Sequence, residues 1–265
     1  MLKAKNLCWQ QGNKKILDSI DFSLLKGEVI GLVGPNGSGK SSLLKVLSFL
    51  EKPTAGEILF QNKVMGSNIS LDIRRKIAIV FQDPLLLNTT VYENVASGLK
   101  IRGKSKKEIS DKVDRWLTSF GIFHLKNQKA RLLSGGESQR VSLARAFAIE
   151  PDVIFLDEPF SALDVPTKEL LIDDINKIIK DTNTTAVVVS HDFRDIFRLA
   201  SKAMVLINGR VEAVDTPFNL INKSTTAEVD RFLIHWKNLD FEMRKFLLLI
   251  QQRAKDLSAN FNCYN

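Results

Sequence analysis

The nine residues Gly34-Pro35-Asn36-Gly37-Ser38-Gly39-Lys40-Ser41-Ser42 constrain this chain more than any other stretch. They follow the apolar run Val29–Val33, which reads as a strand, and precede residues 43–50, which read as a helix. Glycines at 34, 37 and 39 let the backbone fold tightly enough to turn several N–H groups toward one anion. The helix that starts after Gly39 adds its positive dipole end. A triphosphate fits such a nest, with Lys40 reaching the β- and γ-phosphates and the Ser41 hydroxyl ligating a bridging magnesium ion.

A phosphate loop of this type needs a carboxylate near the metal and a group that orients water. Val153-Ile154-Phe155-Leu156 is a continuous apolar run, typical of a strand buried on both faces, and it ends in Asp157-Glu158-Pro159. The two carboxylates divide the work sensibly. Asp157 holds the metal shell, and Glu158 polarises the attacking water as general base.

Between these elements lies Leu133-Ser134-Gly135-Gly136-Glu137-Ser138-Gln139-Arg140, followed by helical spacing at Val141, Leu143, Ala144, Phe147 and Ala148. A serine and two glycines opening a helix make a second backbone anion site, for which a chain with one phosphate loop has no evident need. Taken with the motif order, the chain resembles the nucleotide-binding subunit of ATP-binding cassette (ABC) transporters over roughly residues 1 to 220.

The resemblance implies roles for further residues. Gln82, in Val80-Phe81-Gln82-Asp83-Pro84, matches the glutamine that approaches magnesium and the catalytic water and senses a membrane partner. Ser134, Gly135 and Gly136, with Glu137 beside them, match the signature that contacts ATP held by the opposite subunit. Ser161-Ala162-Leu163-Asp164 matches a loop linking two active sites across a dimer, and His191 matches a switch histidine on the γ-phosphate. The family places an aromatic residue for adenine most often where this chain has Gln11. Trp9 lies on the same face if the segment is extended, and it serves either as the adenine platform or as core packing.

The fold implied is an α/β P-loop NTPase core with a mostly parallel sheet, an N-terminal antiparallel β subdomain and an inserted helical subdomain. Leu2–Gln11 and residues 15–25 read as the antiparallel edge. Core strands are expected at Val29–Val33, 77–81, Val153–Asp157 and 186–190, with 204–208 and 211–214 closing the sheet. The period turns helical over residues 91–149. The ATPase domain is expected to span 1–223 and a helical extension 224–265, where Trp236, Leu239, Met243, Leu247, Ile250, Ala254 and Leu257 form one stripe.

With 265 residues, 44% of them hydrophobic, the chain can bury one substantial core. No apolar run approaches the ~20 residues of a membrane span, and the N-terminus lacks the apolar region of a secretory signal. Cys8 and Cys263, at opposite ends, fit a reduced compartment. The expected location is therefore the cytoplasmic face of the cell membrane, held there peripherally. The net charge of +8 draws on residues 99–115, where seven Lys/Arg meet three Asp/Glu. A solvated helix face, anionic headgroups and nucleic acid are the candidate explanations; the absence of interleaved aromatics argues against the last.

Because the chain carries both half-sites, a homodimer of cassettes on transmembrane permease subunits is the economical assembly, with an extracytoplasmic substrate-binding protein as a further partner. A chromosome or repair ATPase would separate loop and signature by a long coiled coil, and a translation-factor cassette would carry two copies. Gly34 and Ser134 are only 100 residues apart, and there is one copy. A soluble iron–sulfur assembly ATPase stays open. For cargo, residues 81–103 and 132–146 look most like ATPases of tungstate or molybdate importers, with phosphate, amino-acid or other importers and lipid or peptide exporters as alternatives.

Overall fold

The computed structural model describes residues 1–66, 68–223 and 226–237. The chain opens with strands β1 (Leu2–Gln11) and β2 (Lys14–Leu24), an antiparallel pair that turns at Gly12. Strand β3 (Val29–Val33) leads through the glycine-rich loop into helix α1 (Lys40–Leu47). Strands β4 (Ala55–Phe60) and β5 (Lys63–Val64) then return to the first sheet, whose order is β2-β1-β4-β5. The sequence reading did not anticipate this pair or the short helix α2 (Leu71–Arg74).

The second sheet collects strand β6 (Ile77–Val80), β7 (Val153–Asp157), β8 (Thr185–Val189), β9 (Lys202–Ile207) and β10 (Arg210–Asp215) around β3. Its order is β10-β9-β3-β8-β7-β6, parallel throughout except at the β10 edge. Alternation explains why its strands read as unbroken apolar runs. In β7, Val153 and Phe155 join the core under the antiparallel sheet and α1, while Ile154 and Leu156 join the core under the helices. Predicted strand bounds shift by a residue or two: β2 starts at Lys14, β6 stops at Val80, and β8 runs from Thr185.

Residues 91–149 hold helices α3 (Val91–Ile101), α4 (Lys106–Ser119) and α5 (Gly135–Ala148), with two single 3₁₀ turns between α4 and α5. Each helix has a side-chain cap at its start: Thr90 on the Glu93 amide, and capping boxes at Ser105/Glu108 and Ser134/Glu137. The rings of Trp116, Phe120 and Phe147 pack together between α4 and α5. Three of the seven basic residues in the 99–115 stretch are ion-paired. Lys100 meets Glu93, Lys104 meets Glu108, and Lys112 reaches Glu150.

Helix α6 (Val165–Thr182) joins β7 to β8, and α7 (Phe193–Leu199) joins β8 to β9. After β10 come α8 (Pro217–Asn222) and α9 (Ala227–Lys237). On α9, Val229 and Leu233 are fully buried, and the Trp236 ring sits 6.0 Å from Phe193. The rest of the expected tail stripe, Leu239, Met243, Leu247, Ile250, Ala254 and Leu257, lies outside the described residues. Neighbouring parallel strands finish level with one another. Val80 pairs with Leu156, Asp157 with Val189, and Leu32 with Val189, so the loops after β3, β6, β7 and β8 leave one edge of the sheet together.

Candidate nucleotide site

The glycine-rich loop is built as its sequence demands. Gly34 has φ 154°, and a Cβ there would lie 2.0 Å from the Leu206 carbonyl oxygen. Gly39, at φ 104°, takes the N-cap position of α1, where a Cβ would press on Leu17 at 3.0 Å. A side chain at Gly34 would have to move backbone, and one at Gly39 would have to take a positive φ that L residues rarely adopt. Ser38 is buried, and its Oγ has no hydrogen-bond partner among the described residues. Pro35, Asn36 and Gly37 form the exposed rim, Ser41 is exposed and Ser42 half-buried.

Lys40 folds back over this loop, its Nζ donating to the carbonyl oxygens of Gly34 and Pro35, each at 2.9 Å. Burial pushes the ammonium below the ordinary lysine range, while the carboxylates of Glu158 and Asp157 pull it back up. It is a cation with two neutral acceptors, which an anion would relieve.

Ser41 Oγ donates to Asp157 Oδ1 at 3.2 Å, joining the first turn of α1 to the end of β7. Burial pushes the Asp157 carboxyl up, the Ser41 bond opposes this, and neighbouring Glu158 adds to it. Two hard oxygen donors meet here, one of them a buried carboxylate whose burial is not fully compensated. That donor set fits magnesium, whose remaining ligands would be phosphate and water.

Glu158 continues the β7–β8 ladder by one bond, its amide donating to the Val189 carbonyl at 3.1 Å, with φ at 47°. A left-handed backbone at a glutamate costs about 1 kcal/mol or more and is kept only where the surroundings impose it. The side chain meets the ring of His191, Nδ1 to Oε2 at 3.1 Å. An ionised carboxylate only accepts, so Nδ1 carries the hydrogen. His191 is 58% exposed at its side chain, whereas its flanking residues Ser190 and Asp192 are buried.

The structure thus brings together the loop, Asp157, Glu158 and His191. Gln82 stands exposed just beyond β6, on the same sheet edge. Trp9 is half-buried against the core under the antiparallel sheet and pairs with Leu17, the residue that touches Gly39. Ser134 and Gly135 are exposed, and the signature packs on the 161–164 loop of its own chain. A Cβ at Gly136 would meet Thr167 at 3.0 Å and Leu163 at 3.6 Å. Ser134 is engaged with Glu137 in both directions, its Oγ accepting from the Glu137 amide at 3.3 Å and its amide and Oγ donating to Glu137 Oε2 at 2.7 and 2.8 Å. Those bonds hold the Glu137 carboxyl below the usual range.

Three features escaped the sequence reading. Asn94, fully buried, braces the loop before α3 by bonds to both backbone groups of Leu87 and to the Thr90 carbonyl. Arg145 on α5 donates to the carbonyls of Pro84 and Leu85, just after Gln82. Lys168 on α6 pairs with Asp192 and Asp195. No local pattern marks any of these.

The ABC transporter family model matches residues 17–161, from β2 through the loop, the signature and Glu158. The chain belongs to the ABC transporter family. Among curated relatives, the spermidine/putrescine import ATP-binding protein PotA of Mycoplasma capricolum is 33% identical over 235 residues, covering 88% of this chain and 66% of that protein. The sulfate/thiosulfate import ATP-binding protein CysA of Mesostigma viride is 36% identical over 92% of this chain and 70% of its own. The methionine import ATP-binding protein MetN 1 of Listeria monocytogenes is 35% identical over 81% of this chain and 65% of its own. The chain therefore spans about two thirds of the length of these relatives. Among solved structures, this ABC chain is similar to cbiO1 of Clostridium perfringens, part of the transporter complex cbiONQ, at TM-score 0.79, 30% identity, and 94% and 98% coverage. It is also similar to the ATP-binding cassette MJ0796 in a dimeric post-hydrolysis state with ADP and Pi, at TM-score 0.74, 32% identity, and 82% and 99% coverage.

Proposed function

We propose that this chain binds and hydrolyses ATP as the cassette subunit of a membrane importer. The observation that carries the reading is the Glu158–His191 pair, 3.1 Å apart at the ends of adjacent parallel strands, beside a phosphate loop joined to Asp157 through Ser41. In this reading Lys40 leaves its two carbonyls for the β- and γ-phosphates, and the loop amides take the remaining phosphate oxygens. Glu158 accepts the proton of the attacking water. His191 keeps Nδ1 on Glu158 and turns its other ring nitrogen toward the γ-phosphate. Magnesium, held by Ser41 and Asp157 with Gln82 near its shell, would neutralise phosphate charge. Trp9, one strand away from the loop, is the candidate adenine platform.

The signature, with Ser134 and Gly135 exposed and Gly136 and Glu137 half-buried, is offered to the nucleotide of a second copy, and the dimeric form of MJ0796 supports such an assembly. We place the ATPase domain at 1–223, with 91–149 as its helical part, and the helical extension at 224–265. Among the described residues no helix is long and apolar enough to cross a membrane. Permease subunits would provide the passage, the chain sitting peripherally on their cytoplasmic face, with an extracytoplasmic substrate-binding protein delivering cargo; nucleic acid is not among the partners.

Import is supported by the relatives, which are import ATP-binding proteins with three different cargoes at 33% to 36% identity. Such a spread fits a cassette that never touches its cargo. Our preferred cargo is an oxyanion, tungstate or molybdate, on the resemblance of residues 81–103 and 132–146; the sulfate/thiosulfate relative handles that same anion class.

The deciding experiment is Glu158→Gln, which keeps shape and hydrogen bonding but loses the base. Hydrolysis should slow by roughly 10²-fold or more while ATP binding survives. The variant should then elute as a dimer with ATP and as a monomer with ADP. Wild-type turnover in this variant overturns the reading.

A further inference from the structure

Resting on the hydrolytic reading above, we infer that Lys168 is a positioning residue for His191, acting through a buried clamp that also ties the histidine to the 161–164 loop. Lys168 Nζ lies 2.9 Å from Asp192 Oδ2 and 2.7 Å from Asp195 Oδ1. All three side chains are largely buried, Asp195 at 3% exposure. Ser190 Oγ donates to Asp195 Oδ2 at 2.7 Å and accepts from the Asp192 amide at 3.0 Å. The residues on both sides of His191 are therefore pinned, and the ring between them is presented outward.

The clamp is close to neutral. Lys168 and Arg194 supply two cations, and Asp192 and Asp195 two carboxylates, with Arg194 bonded to Asp192 alone. Burial pulls the Lys168 ammonium down, but its bonds to Asp195 and Asp192 outweigh that and hold it above the ordinary range. Charges removed from water to this degree are retained at a cost, so a purely structural role would be served as well by apolar packing.

What the ionic version supplies is direction. The Lys168 amide donates to the Asp164 carbonyl at 2.9 Å, so the lysine is fastened one turn after the 161–164 loop. Ser161 in turn donates to the Glu158 carbonyl at 3.1 Å. Between these partners lies a cavity of about 150 Å³, lined by Glu158, Ser161, Lys168, Ser190, His191 and Asp195. It leaves room on the side where the pair Glu158–His191 could shift. Motion of the 161–164 loop carries Lys168, and Lys168 carries the two carboxylates that frame His191.

The test is a cycle of ATPase measurements on full-length Lys168→Met, His191→Ala and the double variant, with Lys168→Arg as the conservative change. Lys168→Met should lower kcat about ten-fold or more, within the ~10²-fold that a misplacement of about 1 Å can carry, and leave KM for ATP nearly unchanged. Lys168→Arg should restore most of the rate. In the His191→Ala background the methionine should cost nothing more. Lys168→Met/Asp195→Asn removes the buried unpaired carboxylate and so guards against misfolding; it should fold, bind ATP normally and remain slow. Full turnover in that variant, or losses from Lys168→Met and His191→Ala that simply multiply, overturns the clamp while leaving the hydrolytic reading intact. Wild-type turnover in His191→Ala overturns both.

Discussion

Ser41 and Asp157 stand 116 residues apart in sequence, yet the serine hydroxyl donates to the aspartate at 3.2 Å. One bond joins the phosphate loop to the strand that carries the acidic pair. Asp157→Asn preserves an acceptor for that bond and removes the charge. It should weaken nucleotide binding in the presence of magnesium and lower turnover, while binding measured without magnesium changes little. Titrating a fluorescent ATP analogue with and without the metal separates the two, and equal losses in both conditions would count against a metal role for Asp157.

Lys40 is held over the loop by two carbonyls and is the only side-chain cation the loop contributes. Lys40→Ala should abolish ATP hydrolysis and weaken ATP affinity by about ten-fold or more, the scale of a charge-assisted bond of roughly 1.5–3 kcal/mol. Isothermal titration and a phosphate-release assay on the purified variant report the two quantities; near-normal turnover would remove the assignment.

Ser134→Arg places a bulky side chain at an exposed helix start, outside the phosphate loop of its own chain. ATP binding to the isolated subunit should stay near the wild-type value, and ATP-dependent dimerisation and hydrolysis should be lost. Loss of binding by the monomer itself would contradict a role in trans.

At the far edge of the hairpin, Asp18 accepts bonds from Lys15 and from the Arg210 guanidinium, linking β2 to β10. The Lys15 bond first, then the Arg210 bond, holds its carboxyl at about 2, below the ordinary 3.8. A depressed folded-state value means the contribution is complete above the unfolded value and disappears as pH falls through about 2. Asp18→Asn should therefore lower Tm near neutral pH, and the gap to wild type should close between about pH 4 and pH 2. A gap that stays constant over that range would show that the bonds contribute nothing through charge.

The sheet was legible where neighbours in space share a local signature. The apolar run Val153–Asp157 announced a doubly buried strand, and the glycines at 34, 37 and 39 announced the loop beside it. Ala55–Phe60 was not legible because its partner is β1, with Phe60 opposite Leu2, so its pairing is decided by residues dozens of positions away. The same holds for the site. Glu158 and His191 follow from strand ends, but their 3.1 Å approach depends on the register of β7 against β8 and on a left-handed glutamate that no propensity favours. Lys168 and Arg145 look like ordinary helix-surface charges until the fold supplies their acceptors.

The two bonds from Arg145 to Pro84 and Leu85 turn α5 into a lever. Eleven residues separate Arg145 from Ser134, about 16 Å along the axis at 1.5 Å per residue. A tilt of about 10° applied at the arginine end would sweep the serine through roughly 3 Å, about the length of one hydrogen bond. Leu85 and Leu87, exposed on the loop that Arg145 grips, are where a push from outside would arrive. Both hydrogen bonds that tie that loop to the helix of the signature come from one guanidinium.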